Sequence, residues 1–234
     1  MELRLTDVVV ERNGREVLAD VSLVVETGEF VLVVGPNGAG KTTLLSLCNG
    51  LLSPAAGSVT LNGTPVGADP LYARSNVGMV FQEPRDQLVE ATVAADVAFG
   101  PENLGLDRDE IEDTVAEALE AVGYADAGDR SVIDLSHGER TRIAIAGALA
   151  MQPAVLVLDE PLVGLDRWGR QRILEHIRDC QAQGTSVLLA THDLRDVASV
   201  ADRAIALKDG TVVLDQPTPV ATDRLLDLGV QPPP

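Results

Sequence analysis

The segment with the clearest chemical signature is a glycine-rich stretch between an apolar run and a helical pattern. It matches GxxxxGK[ST] and reads Gly35-Pro36-Asn37-Gly38-Ala39-Gly40-Lys41-Thr42. Glycines let backbone N–H groups close around phosphate oxygens, and the N-terminus of the following helix adds partial positive charge. The pattern predicts a phosphate-binding loop that continues to Thr43, in which Lys41 reaches the β- and γ-phosphates and the Thr42 hydroxyl ligates Mg²⁺.

Two adjacent carboxylates follow another apolar run. Val155 to Leu158 is apolar on both faces, as a parallel strand covered by helices should be, and Asp159 and Glu160 come directly after it. Because ligands bind at the carboxyl edge of such sheets, both side chains should lie beside the phosphate loop. We expect Asp159 to hold Mg²⁺ and Glu160 to orient and deprotonate a water that attacks the γ-phosphate in line. Taken alone, the pair could instead be the acidic start of a helix.

A histidine follows a third apolar run at the same predicted edge. His192 comes just after the strand predicted from Ser186 to Ala190, so we expect it to reach and sense a γ-phosphate. His176 lies within a predicted helix and is assigned no role.

The rest of the sequence supplies the elements that must position these residues. Runs rich in Val, Leu and Ile predict strands at Leu3 to Val10, Val17 to Val25, Phe30 to Val34, Ser58 to Leu61, Val77 to Phe81, Val155 to Leu158, Ser186 to Ala190, Ala204 to Leu207 and Thr211 to Leu214. Apolar spacing of three and four predicts helices at Gly40 to Cys48, Asp109 to Val122, Gly138 to Met151 and Asp166 to Ala182.

This order predicts an α/β fold with three parts. A nucleotide-binding core should cover about residues 1–82 and 151–214, and a helical subdomain of about residues 83–150 should be inserted into it. We expect residues 215–234 to form a tail whose end, Gln231 to Pro234, is disordered.

Composition excludes several classes of protein. The longest run of apolar and small residues, Ile143 to Met151, is too short to span a bilayer, and the charged N-terminus does not resemble a secretion signal. Cys48 and Cys180 have neither CxxC spacing nor nearby histidines, so we expect buried thiols rather than a disulfide or a zinc site. The formal net charge of −18 argues against nucleic acid as a partner.

The basic residues are 16 Arg and only 2 Lys, Lys41 and Lys208. An acidic, lysine-poor surface is typical of proteins that work in molar salt, where charges are screened within about 3 Å. An ordinary acidic cytosolic protein is the alternative.

One further segment resembles a known family. Leu135-Ser136-His137-Gly138-Glu139 resembles the LSGGQ signature of ATP-binding-cassette (ABC) ATPases, Gln82 matches the Q-loop of that family, and Gly164-Leu165-Asp166 matches its D-loop. The resemblance implies a P-loop NTPase core with an N-terminal antiparallel β part, ATP and Mg²⁺ as cofactors, and Gln82 as a catalytic and metal-contacting residue. It also implies that Ser136 and Gly138 complete the nucleotide site of a partner subunit.

Two positions depart from the family pattern. His137 stands where the first signature glycine is usual, which puts an imidazole beside the expected γ-phosphate position. Arg12 stands where many members carry an aromatic residue that stacks on adenine, and a guanidinium plane can also stack on a ring.

Within the family, Gln82 to Leu88 and Thr92 to Gly105 look like the cobalt/nickel and energy-coupling-factor importer ATPases. That likeness implies an integral-membrane partner whose coupling helices dock on the helical region, where an apolar face with Val93, Val97 and Phe99 would meet them or pack internally. The chain would then be a peripheral protein at the cytoplasmic face of the membrane, paired with itself or with a paralogous ATPase, and would energise import of a cobalt/nickel ion or a vitamin. The alternatives are a soluble ABC ATPase and a regulatory subunit that hydrolyses poorly because of His137.

Overall fold

A computed structural model describes residues 1–194, 196–228 and 230. Its strands are β1 (Leu3–Arg12), β2 (Arg15–Val25), β3 (Phe30–Val34), β4 (Ala56–Leu61), β5 (Thr64–Pro65), β6 (Val77–Val80), β7 (Val155–Asp159), β8 (Ser186–Thr191), β9 (Arg203–Lys208) and β10 (Thr211–Pro217). Its helices are α1 (Lys41–Cys48), α2 (Pro70–Asn76), α3 (Val93–Leu104), α4 (Arg108–Ala121), α5 (His137–Ala150), α6 (Arg167–Ala182) and α7 (Thr222–Asp227). The tail residues Gln231 to Pro234 lie outside the described residues.

The strands form two sheets. The first is antiparallel, with the order β2-β1-β4-β5, and it begins with the predicted hairpin, whose turn residues Asn13 and Gly14 both have positive φ. The second has the order β10-β9-β3-β8-β7-β6 and is parallel except for β10. The carboxyl ends of β3, β7 and β8 therefore meet at one edge of the second sheet, as the sequence predicted.

The second sheet is buried on both faces because it separates two hydrophobic cores. Along β3, Val31 and Val33 face a core that contains α1 and the first sheet, while Phe30 and Leu32 face a core that contains helices α3 to α6. All five residues of β3 are buried, which explains its continuous apolar sequence.

Helices α3, α4 and α5 pack against one another between β6 and β7 in the sequence. Val93 and Val97 are 0% exposed in this packing, so of the two alternatives, contact with a partner or internal packing, these two residues take internal packing. Burial of each side chain contributes about 1.5–3 kcal/mol to the free energy of unfolding. This gain favours the orientation of α3 in which both valines face the core. Phe99 is 47% exposed and remains available to a partner.

Several elements were not predicted from the sequence. The two-residue strand β5 and helix α2, which the Asp69 side chain caps through the backbone N–H of Tyr72, had no apolar periodicity to reveal them. The segment after Leu214 is more than a tail, because β10 continues to Pro217 and Leu225 of α7 is buried in the core. Both cysteines are free, Cys48 buried and Cys180 partly buried, and burial raises the pKa of the Cys48 thiol to about 12.

Candidate nucleotide-binding and hydrolysis site

The glycine-rich loop connects the end of β3 to the first residue of α1. Gly40 immediately precedes the helix with φ +103°, a conformation that L-residues rarely adopt. The Lys41 ammonium folds back over the loop and donates hydrogen bonds to the carbonyl oxygens of Gly35 at 2.8 Å and Pro36 at 3.3 Å. The loop thus brings a cation and the N-terminus of a helix to one place, an arrangement suited to binding phosphate.

Thr42 and Asp159 meet at the carboxyl edge of the sheet. The Thr42 hydroxyl donates a hydrogen bond of 2.6 Å to Oδ2 of Asp159, which is 1% exposed at the end of β7. The hydroxyl belongs to α1, which follows the phosphate loop at the end of β3. The carboxylate belongs to β7, which is separated from β3 in the sheet by β8. The structure therefore places two hard oxygen ligands side by side, as the sequence predicted for a Mg²⁺ site.

Glu160 is held by contacts on every part of the residue. Its backbone has φ +50°, unusual for a residue with a side chain, and its N–H donates to the carbonyl of Ala190 at 2.9 Å. Its Oε1 lies 2.8 Å from Nδ1 of His192, and its Oε2 accepts a hydrogen bond of 3.1 Å from the Thr191 hydroxyl. A carboxylate in its ionised form can only accept, so a hydrogen bond from His192 to it requires the hydrogen on Nδ1. Both partners come from the end of β8 and fix the orientation of the carboxylate.

Burial and charge work against each other at this site. Burial lowers the pKa of Lys41, although the carboxylates of Glu160 and Asp159 oppose that shift. Burial raises the pKa of Asp159, against the hydrogen bond from Thr42. Desolvation is the largest cause in both cases, so a ligand that brought compensating charge would be bound strongly.

These side chains share one cavity of about 400 Å³. Its lining consists of Val17, Asn37, Gly38, Gly40, Lys41, Thr42, Thr43, Gln82, Asp159 and Glu160. Gln82 is exposed and lies just beyond the end of β6. Most of the sequence-predicted phosphate and metal ligands therefore surround a single space. Gly35, Pro36 and the buried Ala39 shape the loop behind it.

Besides Gly35, Pro36 and Ala39, four predicted site residues are not among the residues that line this cavity. His192 is one of them; it contacts Glu160, which does line the cavity, and its reach to a γ-phosphate stays a prediction. The other three are Arg12, Ser136 and Gly138. Arg12 is exposed at the end of β1, in the hairpin that leads to Val17. Ser136 and Gly138 lie at the start of α5, where Ser136 and Glu139 form a reciprocal capping box. For all three, ligand contact remains a prediction.

His137 is the first residue of α5 and packs against the D-loop segment. A Cβ placed on Gly164 would lie 2.7 Å from the ring atom Cδ2 of His137, so the imidazole covers that glycine. Nδ1 of His137 lies 3.9 Å from Oε1 of Glu83, the residue after Gln82. The substituted signature position thus contacts the D-loop and approaches the Q-loop of its own chain.

Sequence reasoning missed three residues that shape the site. Thr191 orients Glu160, and Val17 lines the cavity from the neighbouring hairpin. Gln87 accepts from the Phe81 N–H at 3.2 Å and donates to the Met79 carbonyl at 3.1 Å, which fixes the chain on both sides of the Q-loop. Only Thr191 carried a usable signal, since it follows a strand and precedes a histidine.

The residues fit a magnesium nucleotide. No cluster of three or more His, Cys, Asp or Glu residues suited to a metal occurs within the part of the chain that the structure describes. A divalent cation at Thr42 and Asp159 would therefore take its other ligands from a neutral oxygen such as that of Gln82, from phosphate and from water. Fold and site together define a P-loop protein with the ligands for a nucleoside triphosphate.

Comparison with known proteins identifies the family. The model of the ABC transporter family matches residues 18–163, more than half of the chain. The chain belongs to the ABC transporter ATP-binding family. Among the residues that the structure describes, no helix is long and apolar enough to cross a membrane.

Three similar proteins cover most of the chain. A putative ABC transporter ATP-binding protein of Halobacterium salinarum is 55% identical over 96% of this chain and 97% of its own length. The cobalt import ATP-binding protein CbiO of Rhodobacter capsulatus is 44% identical, covering 94% of this chain and 81% of its own. The energy-coupling factor transporter ATP-binding protein EcfA of Methanocaldococcus jannaschii is 44% identical, covering 86% and 73%.

Two solved structures resemble the fold closely. CbiO1 of Clostridium perfringens, part of the transporter complex CbiONQ, superposes with a TM-score of 0.81 at 34% identity, covering 92% of this chain and 88% of that one. The ATP-binding cassette MJ0796, a dimer in a post-hydrolysis state bound to ADP and Pi, has a TM-score of 0.84 at 26% identity, covering 94% and 100%.

Proposed function

We propose that this chain binds ATP with Mg²⁺ and hydrolyses it, and that hydrolysis energises the import of a small solute through a membrane partner. The observation that carries the proposal is the arrangement of Glu160, clamped at 2.8 Å by His192, in the same cavity as Lys41 and the Thr42–Asp159 pair. A buried, oriented carboxylate beside a phosphate loop is what in-line attack by water requires.

Each residue has a distinct role in the proposed reaction. The N–H groups of the loop and Lys41 bind the phosphates, and Thr42 and Asp159 hold Mg²⁺, which neutralises charge that develops on the phosphate oxygens. Glu160 accepts a proton from the attacking water, while Nδ1–H of His192 keeps the carboxylate in place. Gln82, which lines the same cavity, would contact the metal and the attacking water.

A second copy or a paralogue would complete the site. Ser136 and Gly138 are outside the cavity of their own chain, and the N-terminus of α5 offers N–H groups to an anion. A dimer that sandwiches two ATP molecules would place this helix end against the γ-phosphate in the partner. His137 would then lie next to that phosphate, and Arg12 would stack on adenine.

A groove in the helical region suits a membrane subunit. It has a volume of about 430 Å³ and is lined by Arg85, Leu88, Glu90, Ala91, Ser131, Val132, Ile133 and Arg140. Ile133 is 78% exposed at its rim, and its carbonyl oxygen accepts a hydrogen bond from Arg140 at 2.8 Å. An exposed apolar side chain in a groove that Arg85 and Arg140 also line favours a partner helix with apolar and acidic residues, although the net charge of the chain is −18.

The membrane partner would hold the chain at the cytoplasmic face of the membrane as a peripheral subunit. The name of the cobalt import relative favours a cobalt ion as the solute, and the likeness to the cobalt/nickel and energy-coupling-factor importers keeps a nickel ion or a vitamin as the alternatives. Nucleic acid is disfavoured as a partner by the acidic charge. The similarity to a protein of Halobacterium supports the proposal that the acidic surface is adapted to high salt.

Dimer trapping tests the nucleotide part of this proposal. Glu160→Gln keeps the shape of the side chain but removes the base, so the variant should bind MgATP and elute from gel filtration as a dimer that wild type forms only transiently. A Glu160→Gln chain that binds ATP yet stays monomeric would count against both the base and the sandwich.

Co-purification tests the membrane partner. Ile133→Asp should abolish co-purification with the membrane subunit, because a carboxylate replaces the exposed apolar side chain at the rim of the groove. Leu71→Asp is the matched control, since Leu71 is 74% exposed on α2. Equal recovery of the membrane subunit with both variants would contradict docking at this groove.

A further inference from the structure

Two aromatic rings and two guanidinium groups form a stacked cluster between α5, α6 and the end of α4. The guanidinium carbon of Arg142 lies 5.7 Å from the ring centre of Tyr124 and 5.4 Å from that of Trp168. Arg172 stacks on Trp168 from another position, also at 5.4 Å. We call these four residues the Trp168 cluster. It joins the end of α4 to α5, whose N-cap is Ser136, and to α6, which follows Asp166.

Arg142 also bonds to the D-loop. Its Nη2 donates a hydrogen bond of 3.1 Å to Oδ1 of Asp166, the same oxygen that caps α6 by accepting from the N–H of Gly169 at 2.8 Å. The Arg142 side chain is only 13% exposed. Within the described residues, its Nε is a buried nitrogen without a hydrogen-bond partner. An arginine chosen only for stability would be expected to satisfy its buried donors.

The contact depends on a glycine. A Cβ added to Gly169 would overlap Nη2 of Arg142 and would lie 2.8 Å from Oδ1 of Asp166. Glycine in the first turn of α6 therefore leaves the space through which Arg142 reaches Asp166. Glycine is a poor helix former, yet α6 has one at the position that Arg142 contacts.

The contact between Arg142 and Asp166 connects two segments that belong to different nucleotide sites of the proposed dimer. Arg142 is in the second turn of α5, the helix whose N-cap is Ser136. Asp166 ends the short segment that begins at Glu160. A rigid connection here would move the helix end that meets one ATP together with the segment that holds the catalytic base for another.

We propose that Arg142 is a positioning residue that couples the signature helix α5 to the Glu160–Asp166 segment, with Tyr124 and Trp168 holding its guanidinium in place. The inference rests on the proposed function as an ATPase that acts as a dimer. It assigns a role to Trp168, the single tryptophan of the chain, as the flat surface that keeps Arg142 directed at Asp166.

Arg172 provides a matched control within the same cluster. Its Nε and Nη2 donate to the carbonyl oxygens of Ala121 and Glu120 at the end of α4, so it anchors Trp168 to that helix. It makes none of the described hydrogen bonds to Asp166. Replacing it perturbs the stacking on Trp168 but leaves the contact between Arg142 and Asp166.

The test compares Arg142→Lys, Gly169→Ala and Arg172→Lys in steady-state ATP hydrolysis. Lysine keeps the charge of Arg142 but lacks the planar fork, and Gly169→Ala blocks the same contact from the other side. A displacement of about 1 Å in a catalytic segment costs up to about 100-fold in rate, so we expect kcat to fall about 10- to 100-fold in both. KM for ATP should stay within about twofold of wild type, because the phosphate loop is untouched. Arg172→Lys should keep both constants within about twofold.

Trp168 fluorescence supplies a readout that does not require turnover. Resting emission should change in both arginine variants, because in each a lysine ammonium replaces a planar guanidinium stacked on the Trp168 ring. Addition of MgATP should shift the emission of wild type and of Arg172→Lys, but not of Arg142→Lys or Gly169→Ala. This arm tests the coupling even if the wild-type chain turns over too slowly to assay, so failure of the proposed function is distinguished from failure of the inference.

Three results would overturn the proposal. One is a wild-type kcat in Arg142→Lys, and another is an equal loss of kcat in Arg172→Lys, which would make the cluster merely structural. The third is loss of the folded circular-dichroism spectrum in Arg142→Lys, which would assign the arginine to stability.

Discussion

Two glycines of the phosphate loop provide a matched pair of substitutions. Gly38 has φ +82° with no atom near the position of an added Cβ, so Gly38→Ala tests backbone conformation alone. Gly40 has φ +103°, and a Cβ there would lie 2.7 Å from Cδ2 of Leu18 and 3.0 Å from the carbonyl oxygen of Val17. Gly40→Ala therefore adds a clash with the backbone of β2 to a similar conformational strain.

The expected magnitudes follow from these two contributions. An L-residue in a left-handed conformation costs about 1–2 kcal/mol, which is the whole effect expected of Gly38→Ala. Overpacking against the backbone adds about 1–3 kcal/mol for Gly40→Ala. The combined cost of about 2–5 kcal/mol should appear as weaker ATP binding, lower stability or both, because the loop can release the strain only by leaving the geometry that binds phosphate.

Isothermal titration with ATP and urea unfolding, both in molar KCl, measure the two parts of this cost. For each variant, the losses in binding and in unfolding free energy should together be larger for Gly40→Ala than for Gly38→Ala. If Gly40→Ala bound ATP like wild type and unfolded at the same urea concentration, the close approach of the loop to β2 would be irrelevant to binding. That result would refute the geometric reasoning about the loop.

Further predictions concern the metal, acid and salt. Thr42→Ala removes the hydroxyl beside Asp159 and should weaken Mg²⁺ activation of hydrolysis at least about tenfold, whereas Thr42→Ser should restore it; equal Mg²⁺ dependence in both variants would contradict the metal site. Hydrogen bonds from Ser136 lower the pKa of Glu139 from 4.5 to about 2, so its stabilisation of α5 is present above about pH 4.5 and is lost as the pH falls toward 2. Between those values Glu139→Gln should unfold with a shallower pH dependence than wild type, and parallel curves would contradict the assignment. Because the net charge is −18, the free energy of unfolding should be larger in molar KCl than in low-salt buffer. The same urea midpoint in both buffers would contradict the hypothesis that the protein is adapted to high salt.

The core of the nucleotide site was predictable because its signals are local. The fixed spacing of the phosphate loop and the carboxylates after β7 needed only the rule that parallel strands end at one edge. Helix α2 gave no such signal, because it is short, buries only Ala73 and is set by the Asp69 cap. Local sequence signals therefore predicted the site residues more completely than they predicted the short helices and strands.

Contacts between distant segments could not be predicted. The apolar face of α3 has the same residues whether it meets a partner or the core, and only packing against α4 and α5 buries Val93 and Val97 while leaving Phe99 exposed. Gln87 and Arg142 are ordinary polar residues in the sequence. Their importance comes from carbonyls, carboxylates and rings that lie far away along the chain.

Hydrolysis of MgATP in molar KCl by the purified chain, alone and with its membrane subunit, tests the central claim most directly. The account predicts turnover that Glu160→Gln lowers by about 10²- to 10⁴-fold while ATP binding is kept. Turnover that survives Glu160→Gln would contradict the role of Glu160 as base. A wild-type chain that binds ATP but does not hydrolyse it, even with the membrane subunit, would contradict the ATPase claim and favour a regulatory subunit disabled by His137.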